Sequence, residues 1–467
     1  MTESLQVAIS GINDFLWSNL LIVLLIALGF YFTSRSKFLQ IRMFREMFRL
    51  LMESRGGARN DISPFQAFCI SMAARVGTGN ITGVAIAIGL GGPGAVFWMW
   101  LIALIGSASS YIESTLAQIY KVRDETGFRG GPAYYMQFGL NARWMGALFA
   151  VLITLSFGLV FNAVQSNTIT IAFQNSFGTN RLTVGLIMAA IFAAIIFGGV
   201  KRIARISEYM VIFMAALYIG VSLFIVLANI TEVPGMFMTI FKHAFGIEQV
   251  AGGTLGAAIL QGIKRGLFSN EAGMGSAPNA AATATTSHPA KQGLIQALAV
   301  LIDTFVICSC TAFIILLSDA YGSTAAGIEL TQSALSTHIG SWASGFLAIM
   351  IFLFAFSTLI GNYYYGETNI DFLKSNRTWL WLYRFSVVAM VIFGSVAKVQ
   401  LVWDLADVFM GFMVIVNLIA ITLLSKIAFA ALNDYNKQKK AGKDPVFTKH
   451  SIEGVRNIQC WDDIEQK

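Results

Sequence analysis

A chain of 467 residues that is 56% hydrophobic and 12% charged, with 37 phenylalanines, carries more apolar side chain than a soluble domain can bury. Apolar runs of about 20 residues recur from end to end, the length that crosses a bilayer, so the composition excludes a soluble enzyme and indicates a polytopic helical membrane protein. The net charge of +7 then reads as a topology signal, not a nucleic-acid surface, and four cysteines (Cys69, Cys308, Cys310, Cys460) with four histidines form neither a disulfide framework nor a zinc site.

The first candidate span, 15–33, follows Glu3 and Asp14 instead of a basic region and is succeeded by no small-residue cleavage site, so it is expected to be retained. The others fall near 65–89, 93–120, 144–175, 182–200, 207–229, 250–283, 292–318, 342–372, 379–397 and 401–427, about eleven in all. Pro64 and Pro93 open spans, Pro132, Pro234, Pro289 and Pro445 lie in connections, and Pro278 alone sits inside one. Basic residues fall in alternate connections: Arg35 to Arg59, then Lys121, Arg123, Arg129 and Arg143, then Lys201, Arg202 and Arg205, then Lys291, then Lys374 and Arg377. The positive-inside rule makes these loops and the lysine-rich end cytoplasmic and puts the N-terminus outside.

Two of the spans are interrupted. Gly77-Thr78-Gly79-Asn80 and the stretch Gly266 to Ser276 are polar and glycine-flanked inside otherwise apolar segments. Unpaired backbone is tolerated at membrane depth only where it is buried in protein or lines a cavity. Each break opens a group of five spans, and an odd number sets the two groups upside down relative to each other, so the spacing predicts an all-α, one-plus-five-plus-five inverted repeat with a binding site at the midplane. The expected divisions are 1–60 (first span and basic loop), 61–230 and 231–430 (the two five-span repeats), and 431–467 (a polar tail).

At a break, glycine lets the helix unwind and present N–H groups from one half-helix and C=O groups from the other, a pairing that suits a carboxylate and a cation. A glycine face for close helix packing is the competing reading, and two matching breaks weigh against it. Lys264, Arg265 and Glu271 are expected to meet one another, Arg75 or a wet cavity. Asn162, Gln165 and Ser166 form a polar stripe, and Ser357-Thr358 offer two hydroxyls that suit a small hard cation or bond back to their own helix. Arg75, Glu113, Asp303 and Glu367 are further ionisable groups within spans, fit for ion pairing or proton relay. No Walker loop, metalloprotease helix or nucleophile elbow is present, so no enzyme is expected.

Arg75-Val76-Gly77-Thr78-Gly79-Asn80-Ile81, Gly127-Phe128-Arg129-Gly130-Gly131-Pro132-Ala133-Tyr134-Tyr135 and Ser269-Asn270-Glu271-Ala272-Gly273-Met274-Gly275 together resemble the alanine or glycine:cation symporter family of prokaryotes, over nearly the whole chain. The resemblance implies a leucine-transporter-like fold in a cell membrane and Na⁺-coupled uptake of L-alanine, glycine and potentially D-alanine, with monomeric function. It implies substrate contacts from Thr78, Gly79, Asn80, Gln165, Gly266, Phe268, Ser269 and Thr358, and a Na⁺ site from the carbonyls of Ala73, Val76 and Phe354 with Ser357 and Thr358. Arg75 stands where two-sodium transporters of this fold have a small residue, so a single coupling ion is expected. The alternatives are H⁺ coupling through Glu271, Asp303 or Glu113, and an amino-acid-binding channel or sensor.

Overall fold

The structure, a computed structural model, describes residues 2–54, 61–124, 127–247, 254–318, 320, 322 and 325–462. Expectations resting on Arg55, Arg59 and residues 250–253 lie outside the described residues. Every other expected span falls on helix. Eight helices are long and apolar enough to cross a membrane: Ile9–Arg35, Gly94–Ile119, Arg143–Phe177, Gly199–Ala228, Pro289–Leu316, Ala343–Leu373, Arg377–Val396 and Val399–Lys440. The pair Pro64–Arg75 and Gly79–Gly91, bent by 51°, makes one interrupted span. Two 16-residue helices, Arg181–Ile196 and Leu255–Asn270, bring the total among the described residues to eleven.

Numbering the spans in chain order, the second to sixth and the seventh to eleventh repeat one pattern. Each group begins with a broken helix, and each has a short helix between its second and third spans, Pro132–Gly139 in one and Ile328–Ile339 in the other. The second span starts sharply because Ser63 Oγ accepts the Gln66 N–H at 3.1 Å while Gln66 Oε1 accepts the Ser63 N–H at 3.2 Å, with Pro64 at the first helical position. The seventh span lies against the third through two glycines: a Cβ on Gly262 would stand 2.5 Å from Ala95 O, and one on Gly266 2.8 Å from Ile102 Cγ2. The only strands described, Val122–Asp124 and Gly127–Arg129, form an antiparallel hairpin on the basic face.

The second break begins later than Gly266. The helix continues to Asn270, and the chain then turns through Glu271 (φ 57°), Gly273 (φ 79°) and Gly275 (φ 83°) before a short turn of helix at Pro278–Ala281. Left-handed backbone is what glycine permits and a helix interior cannot hold, so Gly273 and Gly275 mark the break, whereas Gly266 is a packing glycine.

The polar segment after Lys440 is docked. Phe447 is buried, and its N–H donates to Ser287 O at 2.8 Å while Ser287 Oγ donates to Pro445 O at 2.9 Å. Trp461 Nε1 donates to Gln118 O at 2.9 Å, and Lys121 Nζ lies 4.7 Å from the Trp461 ring and 3.9 Å from that of Phe128. His288 closes the same face. Its Nδ1 accepts the Ala290 N–H at 3.1 Å, which puts the ring proton on Nε2, 3.2 Å from Asp434 Oδ2. Burial pushes its pKa down from 6.5 to about 4 against the pull of Asp434. Between those two values the unfolded chain holds a proton that the folded chain does not, so this group's contribution to stability is complete above pH 6.5 and is lost as pH falls toward 4. Thermal unfolding of detergent-solubilised protein from pH 7 to pH 4 should therefore show a steeper loss in the wild type than in His288→Gln, by at most about 1.4 kcal/mol per pH unit. Equal slopes would remove His288 as the cause.

Candidate functional site

The first break is held open by side chains. The helix stops at Arg75, Val76 leaves helical geometry (ψ 86°), and π-helix resumes at Gly79. The Gly77 N–H donates to Asn80 Oδ1 at 2.9 Å and the Thr78 N–H to Gln165 Oε1 at 3.1 Å. Of the polar stripe on the fourth span, Gln165 therefore faces the break. Asn162 accepts from Asn362 Nδ2 at 3.2 Å, and Ser166 Oγ donates to Val391 O at 2.5 Å on another flank. A Cβ on Gly77 would collide with Thr358 Oγ1 and come within 3.0 Å of Gln165 Oε1, so only glycine fits between these two side chains.

On one side of this break five oxygens converge. Thr358 Oγ1 lies 2.9 Å from Ala73 O, 3.4 Å from Val76 O and 3.0 Å from Phe354 O; Ser357 Oγ lies 2.8 Å from Phe354 O and 3.4 Å from Ala73 O. Two hydroxyls bring two protons to five such contacts, so several lone pairs point at one another's oxygens without a proton between them. Neutral hard oxygens gathered in this way fit a small monovalent cation. All five residues expected at the cation site are brought together, and all are buried.

On the other side the two breaks touch. A Cβ on Gly79 would stand 3.0 Å from Ser269 Cα and 3.1 Å from Phe268 Cδ1. Phe268 stacks on Phe161 and packs at a tilt of 38° against Trp403, each ring centroid 4.8 Å away, and the Arg265 guanidinium lies 4.8 Å from the Trp403 ring centroid. Thr78, Gly79, Asn80, Gln165, Phe268, Ser269 and Thr358 thus surround one spot, while Gly266 faces Met99 and Ile102 away from it. The Asn80 amide is committed to the scaffold, donating to Asp303 Oδ1 at 2.7 Å besides accepting from Gly77.

Two large cavities flank the cluster. One, of about 630 Å³, is lined by Thr82, Ile86, Thr168, Arg265, Trp403 and Asp404; the other, of about 620 Å³ on the basic face, by Asp61, Phe128, Thr283, Glu367, Asp371 and Arg384. Neither lining includes Thr78, Gln165, Ser269 or Thr358, all of which are buried.

The buried charges meet the expectation only in part: Arg265 lines the cavity of about 630 Å³, one of the surroundings expected for it. Lys264 and Arg265 meet neither Glu271 nor Arg75: both pair with Asp407 of the eleventh span, Lys264 at 2.7 Å and Arg265 through two bonds of 3.0 and 2.9 Å. Asp407 is a residue that the sequence reading does not single out; its signal is an acid three residues after Asp404 with no Lys or Arg within a turn of either. Glu271 accepts from Ser276 Oγ at 2.5 Å. Glu113 caps the second break, accepting the N–H groups of Gly273 at 3.2 Å and Gly275 at 3.0 Å and the Asn417 amide at 2.8 Å. Arg75 donates to Gln296 Oε1 at 3.1 Å and Ser110 Oγ at 3.4 Å, and Glu367 pairs with Arg384 at 3.2 Å. Cys308 lies beside Ser269, 3.1 Å from its Oγ, so it belongs to the polar wall of the site.

The family model described as the sodium:alanine symporter family matches residues 2–449. The chain is 68% identical to the probable sodium/glutamine symporter GlnT of Bacillus subtilis, covering 99% of this chain and 97% of that one. It is 57% identical to the amino-acid carrier protein AlsT of the same organism, covering 97% of each, and 40% identical to the sodium/proton-dependent alanine carrier protein of Bacillus sp. PS3, covering 86% and 94%. Among solved structures, the manganese transporter of Eremococcus coleocola superposes with a TM-score of 0.54 at 13% identity over 82% of this chain and 81% of that one, a likeness of fold alone. With eleven spans in a leucine-transporter-like inverted repeat and a family match over nearly its whole length, the chain belongs to the sodium:alanine symporter family, multi-pass membrane transporters that couple amino-acid transport to Na⁺.

Proposed function

We propose that this protein carries small neutral amino acids, L-alanine and glycine first and D-alanine with them, into the cell together with Na⁺, by alternating access between its two cavities. The observation that supports this best is the five-oxygen cluster of Ala73, Val76, Phe354, Ser357 and Thr358 set directly beside the backbone donor of Thr78. Na⁺ would sit among those oxygens. The amino-acid carboxylate would take the Thr78 and Gly79 N–H groups, displacing Gln165 Oε1, which is free to turn and serve the ammonium side. Phe268 would close over the side chain. The halves 61–230 and 231–430 would rock about this centre, with the N-terminus outside and 431–467 cytoplasmic, as the basic loops argue.

A single coupling ion fits a core in which the fixed charge of Arg75 is already buried near the first break. Glutamine is the second reading: the relative at 68% identity carries it in its name, and Ser269, Asp303 and Cys308 supply a polar wall that a carboxamide could meet.

In proteoliposomes, an inward Na⁺ gradient should drive labelled L-alanine above equilibrium, with a Hill coefficient for Na⁺ near one, where equal K⁺ and pH gradients do not. Uptake driven by the pH gradient alone would transfer the coupling role to a proton, and equilibration without accumulation would indicate a channel. Thr358→Ala should raise the Na⁺ concentration for half-maximal uptake at least about tenfold, which corresponds to about 1.4 kcal/mol. Gly77→Ala, which forces a methyl against Thr358 and Gln165, should abolish uptake while leaving a folded, monodisperse protein, since overpacking of this kind costs about 1–3 kcal/mol.

A further inference from the structure

In the eighth span the helix widens to π-form over Ile302–Cys308, a deformation that recurs at functional sites, and this stretch carries Asp303. One carboxyl oxygen, Oδ1, accepts from Asn80 Nδ2 at 2.7 Å; the other, Oδ2, accepts from Ser269 Oγ at 2.7 Å and Thr304 Oγ1 at 3.3 Å. Asn80 adjoins Gly79 of the first break, and Ser269 is two residues before the second. Each is the immediate neighbour of the point where the broken helices touch. Asp303 is fully buried, as are Asn80 and Ser269. The Asn80 amide cannot turn to another partner without also releasing the Gly77 N–H, and Thr311 Oγ1 holds its backbone carbonyl at 2.7 Å.

We propose that Asp303 is a positioning residue for the amino acid: a clasp from the eighth span that fixes the spacing of the two breaks and thereby the width of the amino-acid pocket, without entering the Na⁺ site. The inference rests on the symport reading above and assigns a division of labour within it. Thr358 meets the first break from the side of Ala73 and Val76, whereas Asp303 reaches it from the side of Gly79 and Asn80. A carboxyl that accepts a short hydrogen bond on each of its two oxygens holds both donors at a fixed spacing. Asp303→Asn replaces one acceptor oxygen by an NH₂ group: facing Asn80 it sets donor against donor, and facing Ser269 it forces that hydroxyl to accept instead of donate, so the pair of bonds accepted by one carboxyl is broken either way.

The test measures amino-acid affinity and Na⁺ affinity separately. With purified protein, thermal shifts are titrated with Na⁺ alone, then at saturating Na⁺ with L-alanine, glycine and L-glutamine; gradient-driven uptake is measured in proteoliposomes with the amino acid that shifts the wild type most. Asp303→Asn should weaken amino-acid binding and raise KM at least about tenfold, with kcat within about threefold and the Na⁺ midpoint within about twofold of wild type. Ser357→Ala, which of the two ligand sites touches the cation cluster alone, should give the opposite pattern. Ser269→Ala, a milder removal of the other arm, should raise KM by a smaller factor, and the two changes combined should add little to Asp303→Asn, because both break one clasp. If Asp303→Asn does not fold, Ser269→Ala decides the question by the same KM and Na⁺ readouts. Wild-type KM in Asp303→Asn, or an equal shift in amino-acid and Na⁺ affinities, would overturn the proposal. Failure of Na⁺ to drive uptake by the wild type would overturn the symport reading instead, and the binding titrations would still judge the clasp.

Discussion

A helix interrupted inside a bilayer leaves backbone groups that neither water nor lipid can satisfy, each costing several kcal/mol if left bare. The buried polar residues around the two breaks answer that constraint. Asn80 and Gln165 take the N–H groups of Gly77 and Thr78, and Ser357 and Thr358 lie against the carbonyls of Ala73, Val76 and Phe354. Glu113 and Asn417 serve the second break, the carboxylate accepting from Gly273 and Gly275 and the amide donating to Gly273 O at 2.9 Å. Apart from Asn80, these partners come from four other spans, so the two breaks are where much of the polar chemistry of the core converges.

The charges form a second layer around this arrangement. The pairing of Lys264 and Arg265 with Asp407 ties the half-helix before the second break to the last span and, through Lys264 and Asn13 at 3.2 Å, to the first. Removing the carboxylate would leave two buried cations without their partner, a loss of about 3–5 kcal/mol per broken pair by analogy with other buried ion pairs. The Arg265 guanidinium also lies over the Trp403 ring, which packs at a tilt against Phe268, so the electrostatic anchor and the aromatic wall of the site are in contact. On the basic face Arg129 pairs with Asp371, linking the hairpin to the ninth span beside the second cavity.

The fold was legible because length, apolarity and glycine-flanked polar breaks are local properties, and a bilayer leaves few ways to arrange them. The first break is legible to within a residue or two: Gly77 and Gly79 mark the polar position, while the chain leaves the helix at Val76 and resumes it at Gly79. The second was read early, at Gly266, because a glycine that packs against Ile102 and one that takes a positive φ, such as Gly273, look alike in one dimension. The cluster of Ala73, Val76, Phe354, Ser357 and Thr358 came from a resemblance, and no periodicity would have joined residues about 280 positions apart; Ser357 and Ala73, for instance, are separated by 284. Partners across spans were the hardest to see. Asp407 as the mate of Lys264 and Arg265, Asp303 between Asn80 and Ser269, and Trp461 over Lys121 all depend on which helix faces register, a property of packing that composition and spacing do not carry.

The bond between Gln165 and the Thr78 N–H also bears on how such a carrier resets. A symport cycle includes a return stroke made without cargo, and a binding site stripped bare in the bilayer would stall there, because undressed donors and crowded lone pairs are costly to carry across. Here the carboxamide oxygen of Gln165 stands in the position of a carboxylate oxygen, and the hydroxyl protons of Thr358 and Ser357 bridge carbonyls that a cation would otherwise neutralise. The residues that would receive the cargo thus also act as its surrogates. In that reading turnover is set by how readily the surrogates exchange with the true ligands, and affinity and return rate are adjusted together by the same few side chains.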